Sequence, residues 1–246
     1  MKVIRMIFRI SLITFTVVFV CLVIAFLVLD EPIPQGPSNG GADKLANKML
    51  TAINYDAWEN THFVSWSMMG IHHYLWDKKN NVVQVKWGEI EVILNLEEIK
   101  GKAIENGETL SGIDQVDAVQ TAWEYFCNDS FWLNAPSKVF DEGTYRTIIE
   151  TSDNKQALLV TYSSGGITAG DSYLWFLDKN GLPEKYKMWV SIIPIGGLES
   201  SWTDWETTSS NARIATKHEI FGMEFSIENL KTGKSLADID IVENPF

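Results

Sequence analysis

Asp171-Ser172-Tyr173-Leu174-Trp175-Phe176-Leu177-Asp178-Lys179-Asn180-Gly181-Leu182-Pro183-Glu184-Lys185-Tyr186-Lys187-Met188-Trp189-Val190 is the stretch whose reading decides the fold. Tyr173 and Trp175 share one face of a period-two pattern, as do Tyr186, Met188 and Val190 further on. Alternation of this kind marks strands with two different faces. Asn180-Gly181 between them is the tight-turn signal of an antiparallel hairpin. The expected strands are Asp171–Leu177 and Glu184–Ile193.

The same pattern repeats on both sides. Upstream, Tyr145–Glu150 and Gln156–Ser163 flank the turn Ser152-Asp153-Asn154-Lys155. Earlier strands are expected at His62–Met68, Ile71–Trp76, Val82–Trp87 and Ile90–Leu96, joined by polar turns. Downstream, weaker strands fall near Leu198–Thr207, Arg213–Glu219, Met223–Ile227 and Ala237–Val242. Two helices interrupt the series. Ala42–Ile53 carries Leu45, Met49, Leu50 and Ile53 at three-to-four-residue spacing, and Asp114–Asn128 carries Val116, Val119, Trp123, Phe126 and Cys127. Phe131-Trp132-Leu133-Asn134-Ala135-Pro136 reads as a loop. The class is α+β, with about ten antiparallel strands. An open sheet of that width curls, giving an incomplete barrel with two helices in its concave face.

At the N-terminus, residues 10–29 form a charge-free apolar run preceded by Lys2, Arg5 and Arg9 and closed by Asp30. As a helix it would extend roughly 30 Å, the thickness of a hydrocarbon core. It is longer than a signal-peptide core, and Leu27-Val28-Leu29 offers no small-residue cleavage site. The expectation is a single-pass transmembrane anchor, and the basic residues put segment 1–9 in the cytoplasm. Residues 30–41, rich in Pro, Gly and polar side chains, form a linker. Residues 42–246 then make one exported domain.

Composition narrows the partners. Beyond residue 30 the chain holds 31 acidic and 17 basic side chains, a net charge of −14. Nucleic acid is therefore not an expected partner, because phosphate contact needs a basic surface. Cys127 has no second cysteine outside the apolar run, so no intrachain disulfide is expected there, and its place on a helix stripe suits a buried thiol. All ten tryptophans lie beyond that run. Each is a large apolar group with one N–H to satisfy.

The order of elements (helix, meander, inserted helix, meander) resembles the lipoprotein-carrier fold of the LolA/LolB type. The turn Asp178-Lys179-Asn180-Gly181-Leu182-Pro183 resembles that family's Asp-x-x-Gly-x-Pro element. Segments Asn128-Asp129-Ser130-Phe131-Trp132-Leu133 and Gly170-Asp171-Ser172-Tyr173-Leu174-Trp175 resemble those of uncharacterised bacterial envelope proteins with an N-terminal anchor. The resemblance implies a bent sheet around an apolar cavity for acyl chains, and location at a bacterial inner membrane with the domain in the periplasm. A retained anchor would suit a fixed acceptor better than a free shuttle.

Chemical motifs are few. Gly166-Ile167-Thr168-Ala169-Gly170 has the outline of a nucleophile elbow, but a strand follows where a helix is required. His72 and His73 are strand neighbours and point to opposite faces, so no metal site and no cofactor are expected. Asp171 with Asp141, Glu142 or Glu199 would be the acids of a carbohydrate hydrolase. Turn carboxylates solvated by water are the simpler account, and no catalytic residue is assigned.

The leading expectation is noncatalytic binding of a hydrophobic ligand, a lipid or lipoprotein acyl chain, beside a membrane. Trp66, Met68, Tyr74, Trp87, Tyr162, Tyr173, Trp175 and Met188 would line the site. Ser163, Ser164, Gly165, Gly166, Gly170 and Asp171 would form a loop gating it. The alternative from another class is an interaction module that binds an envelope protein.

Overall fold

The computed structural model of the chain describes residues 11–20, 28–37, 40–165 and 169–246. Helices α1 (Gly40–Ala52) and α2 (Tyr55–Glu59) lead into a first meander. It comprises β1 (Phe63–Met68), β2 (His72–Asp77), β3 (Val82–Trp87), β4 (Ile90–Asn95), β5 (Lys100–Glu105) and β6 (Glu108–Thr109). Helix α3 (Gly112–Asn134) follows. The second meander begins with β7 (Thr144–Glu150), β8 (Gln156–Tyr162), β9 (Ser172–Leu177) and β10 (Pro183–Trp189). It ends with β11 (Leu198–Thr207), β12 (Arg213–Ile220) and β13 (Met223–Gly233).

The strands form one 13-stranded sheet, ordered β6-β5-β4-β3-β2-β1-β13-β12-β11-β10-β9-β8-β7. Its long-range seam is the antiparallel pairing of β1 with β13, which sets Phe63 opposite Gly233 and Met68 opposite Ile227. All other neighbours follow in sequence. At the 171–190 hairpin Met188 faces Tyr173 and Tyr186 faces Trp175 across the ladder. Gly181 sits at φ +96, and a Cβ there would meet the Lys48 backbone of α1 at 2.8 Å. Glycine thus serves both the turn and the seating of the helix.

One face of the sheet packs on the helices in two cores. Ala42, Ala46 and Met49 of α1 meet Leu158, Trp175, Tyr186 and Trp202. Ala118, Ala122 and Phe126 of α3 meet Val64, Trp66, Val85 and Leu94. On the opposite face Leu159, Leu174 and Trp189 form a smaller cluster. The Pro-rich stretch 30–37 lies there: Trp189 Nε1–H donates to the Glu31 carbonyl at 2.6 Å. Lys187 Nζ reaches both Glu31 carboxylate oxygens at 2.7 Å.

Three expectations need correction. The fold class with an N-terminal transmembrane helix is not what the structure shows: among the described residues, no helix is long and apolar enough to cross a membrane. Within the apolar run, residues 11–20 and 28–29 are described, and both stretches are helical. Segment 1–9, residue 10 and residues 21–27 lie outside the described residues. Second, α3 continues to Asn134, through residues read as a loop. Third, Ala237–Ile239 is a short 3-10 turn instead of a strand, while Lys100–Glu105, given no element from sequence, is a strand.

Candidate functional site

Helix α3 and its continuation to Asn134 wall a cleft. Trp123, Phe126, Cys127, Ser130 and Phe131 recur every three or four residues, so they share one side of the helix. That side faces two loops, 138–142 ahead of β7 and 163–165 after β8, across a cavity of about 420 Å³. The volume falls in the range typical of small-ligand sites, roughly 300–1,000 Å³. The Tyr162 ring closes the apolar wall, edge-on to Phe131 with centroids 5.9 Å apart. The rim is charged: Lys138 Nζ lies 3.1 Å from Asp141, and Glu142 stands beside them.

The two loops are clasped together. Ser163 N–H and Oγ both bond to the Gly143 carbonyl, at 2.9 and 2.8 Å. Ser164 Oγ donates to the Glu142 carbonyl at 3.3 Å. Gly143, at φ +81, admits this approach because a Cβ there would meet Ser164 Oγ at 2.0 Å. Burial, reinforced by Asp141, pushes the Tyr162 phenol well above its ordinary pKa, so it stays neutral.

Tyr162 is the one expected ligand residue that lines this cleft. Tyr173, Trp175 and Met188 lie behind it, buried under α1. Trp66, Met68 and Tyr74 sit in the other core under α3, with half-buried Trp87 packed against it. Ring packing fills these regions: Trp66 stacks on Tyr74 at 4.5 Å, and Trp175 meets Tyr186 at 4.9 Å. The expected stripes therefore form two packed cores, and the opening lies between helix and loops.

Of the expected gate, Ser163 and Ser164 are held by the clasp, and Gly165 borders the cleft. Gly170 donates its N–H to the Tyr162 carbonyl. Gly166 lies outside the described residues. Asp171 is buried and accepts from Ser191 N–H at 2.9 Å and from the Tyr173 hydroxyl at 3.4 Å. Burial raises its pKa. Both oxygens are thus engaged in fixing β9 to the loop after β10. Glu199 pairs with Lys185 at 2.7 Å on the opposite face of the sheet. Glu199 is therefore not a partner of the cleft-rim acids Asp141 and Glu142.

Sequence reasoning missed Trp123, Phe126 and Phe131 as lining residues. The signal existed: the stripe continues through 130 and 131, and Pro136 marks a later stop. Cys127, expected in a core, is half-buried in the cleft wall. The polar residues that disguised the helix have tertiary partners. Asp129 accepts from the Tyr74 hydroxyl at 2.6 Å and from His72 Nδ1 at 2.8 Å, and His72 stacks on Tyr125. Among the described residues no group of three or more His, Cys, Asp or Glu side chains is placed to hold a metal ion.

No protein-family model and no curated protein matches the chain. Among solved structures it is similar to a DUF1329 family protein from Desulfovibrio piger ATCC 29098, at 11% identity and a TM-score of 0.41. That likeness covers 83% of this chain and 98% of the other. It is also similar to a domain assigned as an outer membrane lipoprotein-sorting protein, from Vibrio parahaemolyticus, at 7% identity and a TM-score of 0.31. This second likeness covers 79% of this chain and 97% of the other.

Proposed function

We propose that this protein binds a hydrophobic ligand, the acyl chain of a lipid or lipoprotein, in the cell envelope. The observation that carries the reading is the open cleft walled by Trp123, Phe126, Phe131 and Tyr162. Each methylene transferred from water into such a wall gains ~0.8 kcal/mol, so a chain of several carbons is held without any covalent step. Lys138 at the rim supplies a cation for a polar headgroup. The clasped loops 138–142 and 163–165 frame the entrance.

The test uses the full-length chain, titrated with a fluorescent fatty acid and examined by native mass spectrometry for co-purified lipid. Cys127→Phe narrows the cleft and Phe131→Ala strips its wall. Both should weaken probe binding while thermal melting shows a folded domain. Lipid-free protein without saturable probe binding, or unchanged affinity in both folded variants, overturns the proposal.

A further inference from the structure

Polar turns lie at both ends of the sheet, and one end adds a group of exposed apolar tips. The end without them carries Lys78-Lys79-Asn80-Asn81, Asp153-Asn154-Lys155 and Asp178-Lys179-Asn180. Antiparallel order puts the β1–β2 turn, the β12–β13 turn and the β10–β11 loop together at the other end. There Met69, Ile71, Ile192, Phe221 and Met223 are between 51% and 73% exposed.

Two of these residues occupy backbone positions that suit neither of them. Met69 and Phe221 both have φ +52, and each precedes a glycine of positive φ. Such two-residue turns favour asparagine first, because a large side chain crowds its own backbone in the left-handed region. The chain meets that preference at the β5–β6 turn with Asn106-Gly107. At Met69-Gly70 and Phe221-Gly222 it places large apolar groups instead, pointing them into solvent at neighbouring tips. Backbone strain of this sort is kept where it serves a function.

The apolar N-terminal run arrives at the same end. Leu29 shares a groove with Phe221 and Gly222, and Asp30 accepts from Gly196 N–H at 2.8 Å in the β10–β11 loop. The described side chains of 11–20 are exposed, among them Leu12, Phe15 and Phe19. Val28 and Leu29, 75% and 50% exposed, extend the apolar surface beside the Phe221 tip. Glu219, Glu224 and Glu228 flank the tips on β12 and β13, which disfavours anionic headgroups.

We infer that this end of the sheet is a bilayer-docking face, with the Met69–Ile71 and Phe221–Met223 tips entering the acyl layer of a zwitterionic membrane. Docking rests on apolar insertion and is insensitive to salt. It is independent of occupancy of the cleft, which the fatty-acid titration reads in the absence of vesicles.

The test places a polarity-sensitive fluorophore on the full-length chain at Phe221→Cys or Ile71→Cys, in a Cys21→Ser, Cys127→Ser background. Asn180→Cys, at the polar end, is the control. With phosphatidylcholine vesicles, probes at 221 and 71 should shift to the blue and be quenched by spin-labelled acyl chains severalfold more than the probe at 180. Vesicle-bound protein whose 221 and 71 probes stay as water-exposed as the 180 probe overturns the inference, as does absence of vesicle binding. Two tip positions keep the test valid if one variant fails to fold.

Discussion

His218 gives the chain a defined sensitivity to acid. Its ring is fully buried among Trp132, Trp202 and Phe225, with centroids 5.3, 4.4 and 5.3 Å away. Nδ1–H donates to the Ser201 carbonyl at 3.3 Å, while Nε2 has no hydrogen-bond partner among the described residues. Burial lowers its pKa from 6.5 to about 4. The unfolded chain therefore takes up the proton first as pH falls. Stability is complete above 6.5 and is lost between there and about 4, at about 1.4 kcal/mol per pH unit. Moving from pH 7 to pH 5 should cost about 2 kcal/mol. For a domain of this size that is about 4–8 °C in Tm. The assay is thermal melting by near-ultraviolet circular dichroism at both pH values, for the natural chain and for His218→Phe. Any contribution from Asp171, whose raised pKa acts in the opposite sense, is common to both and cancels. Equal pH shifts in the two proteins would refute the assignment of acid sensitivity to His218.

Phe221→Asn and Met69→Asn should each stabilise the domain by about 1 kcal/mol, by relieving a left-handed conformation that asparagine adopts more readily. The same changes should weaken vesicle docking, and unaltered melting temperatures would show that the tips carry no strain. Tyr74→Phe leaves the buried Asp129 carboxylate without its 2.6 Å donor and should cost about 1.5–3 kcal/mol in urea unfolding. A loss below measurement error would mean that the hydroxyl does not matter there. Gly181→Ala should destabilise by about 1–3 kcal/mol, since it combines a positive φ with contact against the Lys48 backbone. Chemical denaturation that shows no loss would count against that contact.

The 171–190 hairpin was readable because its determinants are local: period-two alternation and Asn-Gly at the turn. It appears as Ser172–Leu177 and Pro183–Trp189. The end of α3 was not readable in the same way. Asn128, Asp129 and Ser130 look like a helix stop, since such side chains compete for backbone hydrogen bonds. Asp129 is tolerated inside the helix because Tyr74 and His72, from a strand more than fifty residues earlier, bond to it. That continuation carries Phe131 into the cleft wall. The aromatic stripes were correctly placed on one face of their strands, but period alone does not distinguish a lined cavity from a packed core. The distinction depends on which helix covers the face.

By itself the sequence determined the antiparallel meanders, the two main helices, the acidic character of the chain beyond residue 30 and the apolar run before it. Those follow from side-chain periodicity, turn chemistry and charge, all of which act over a few residues. The tertiary structure alone decided the closure of β1 on β13, the separation of the stripes into two filled cores, and the clasp between Gly143 and Ser163. It also decided the gathering of Met69, Ile192 and Phe221 at one end of the sheet. Each of these joins residues far apart in the chain, and their energies depend on burial and partner geometry that no local pattern contains.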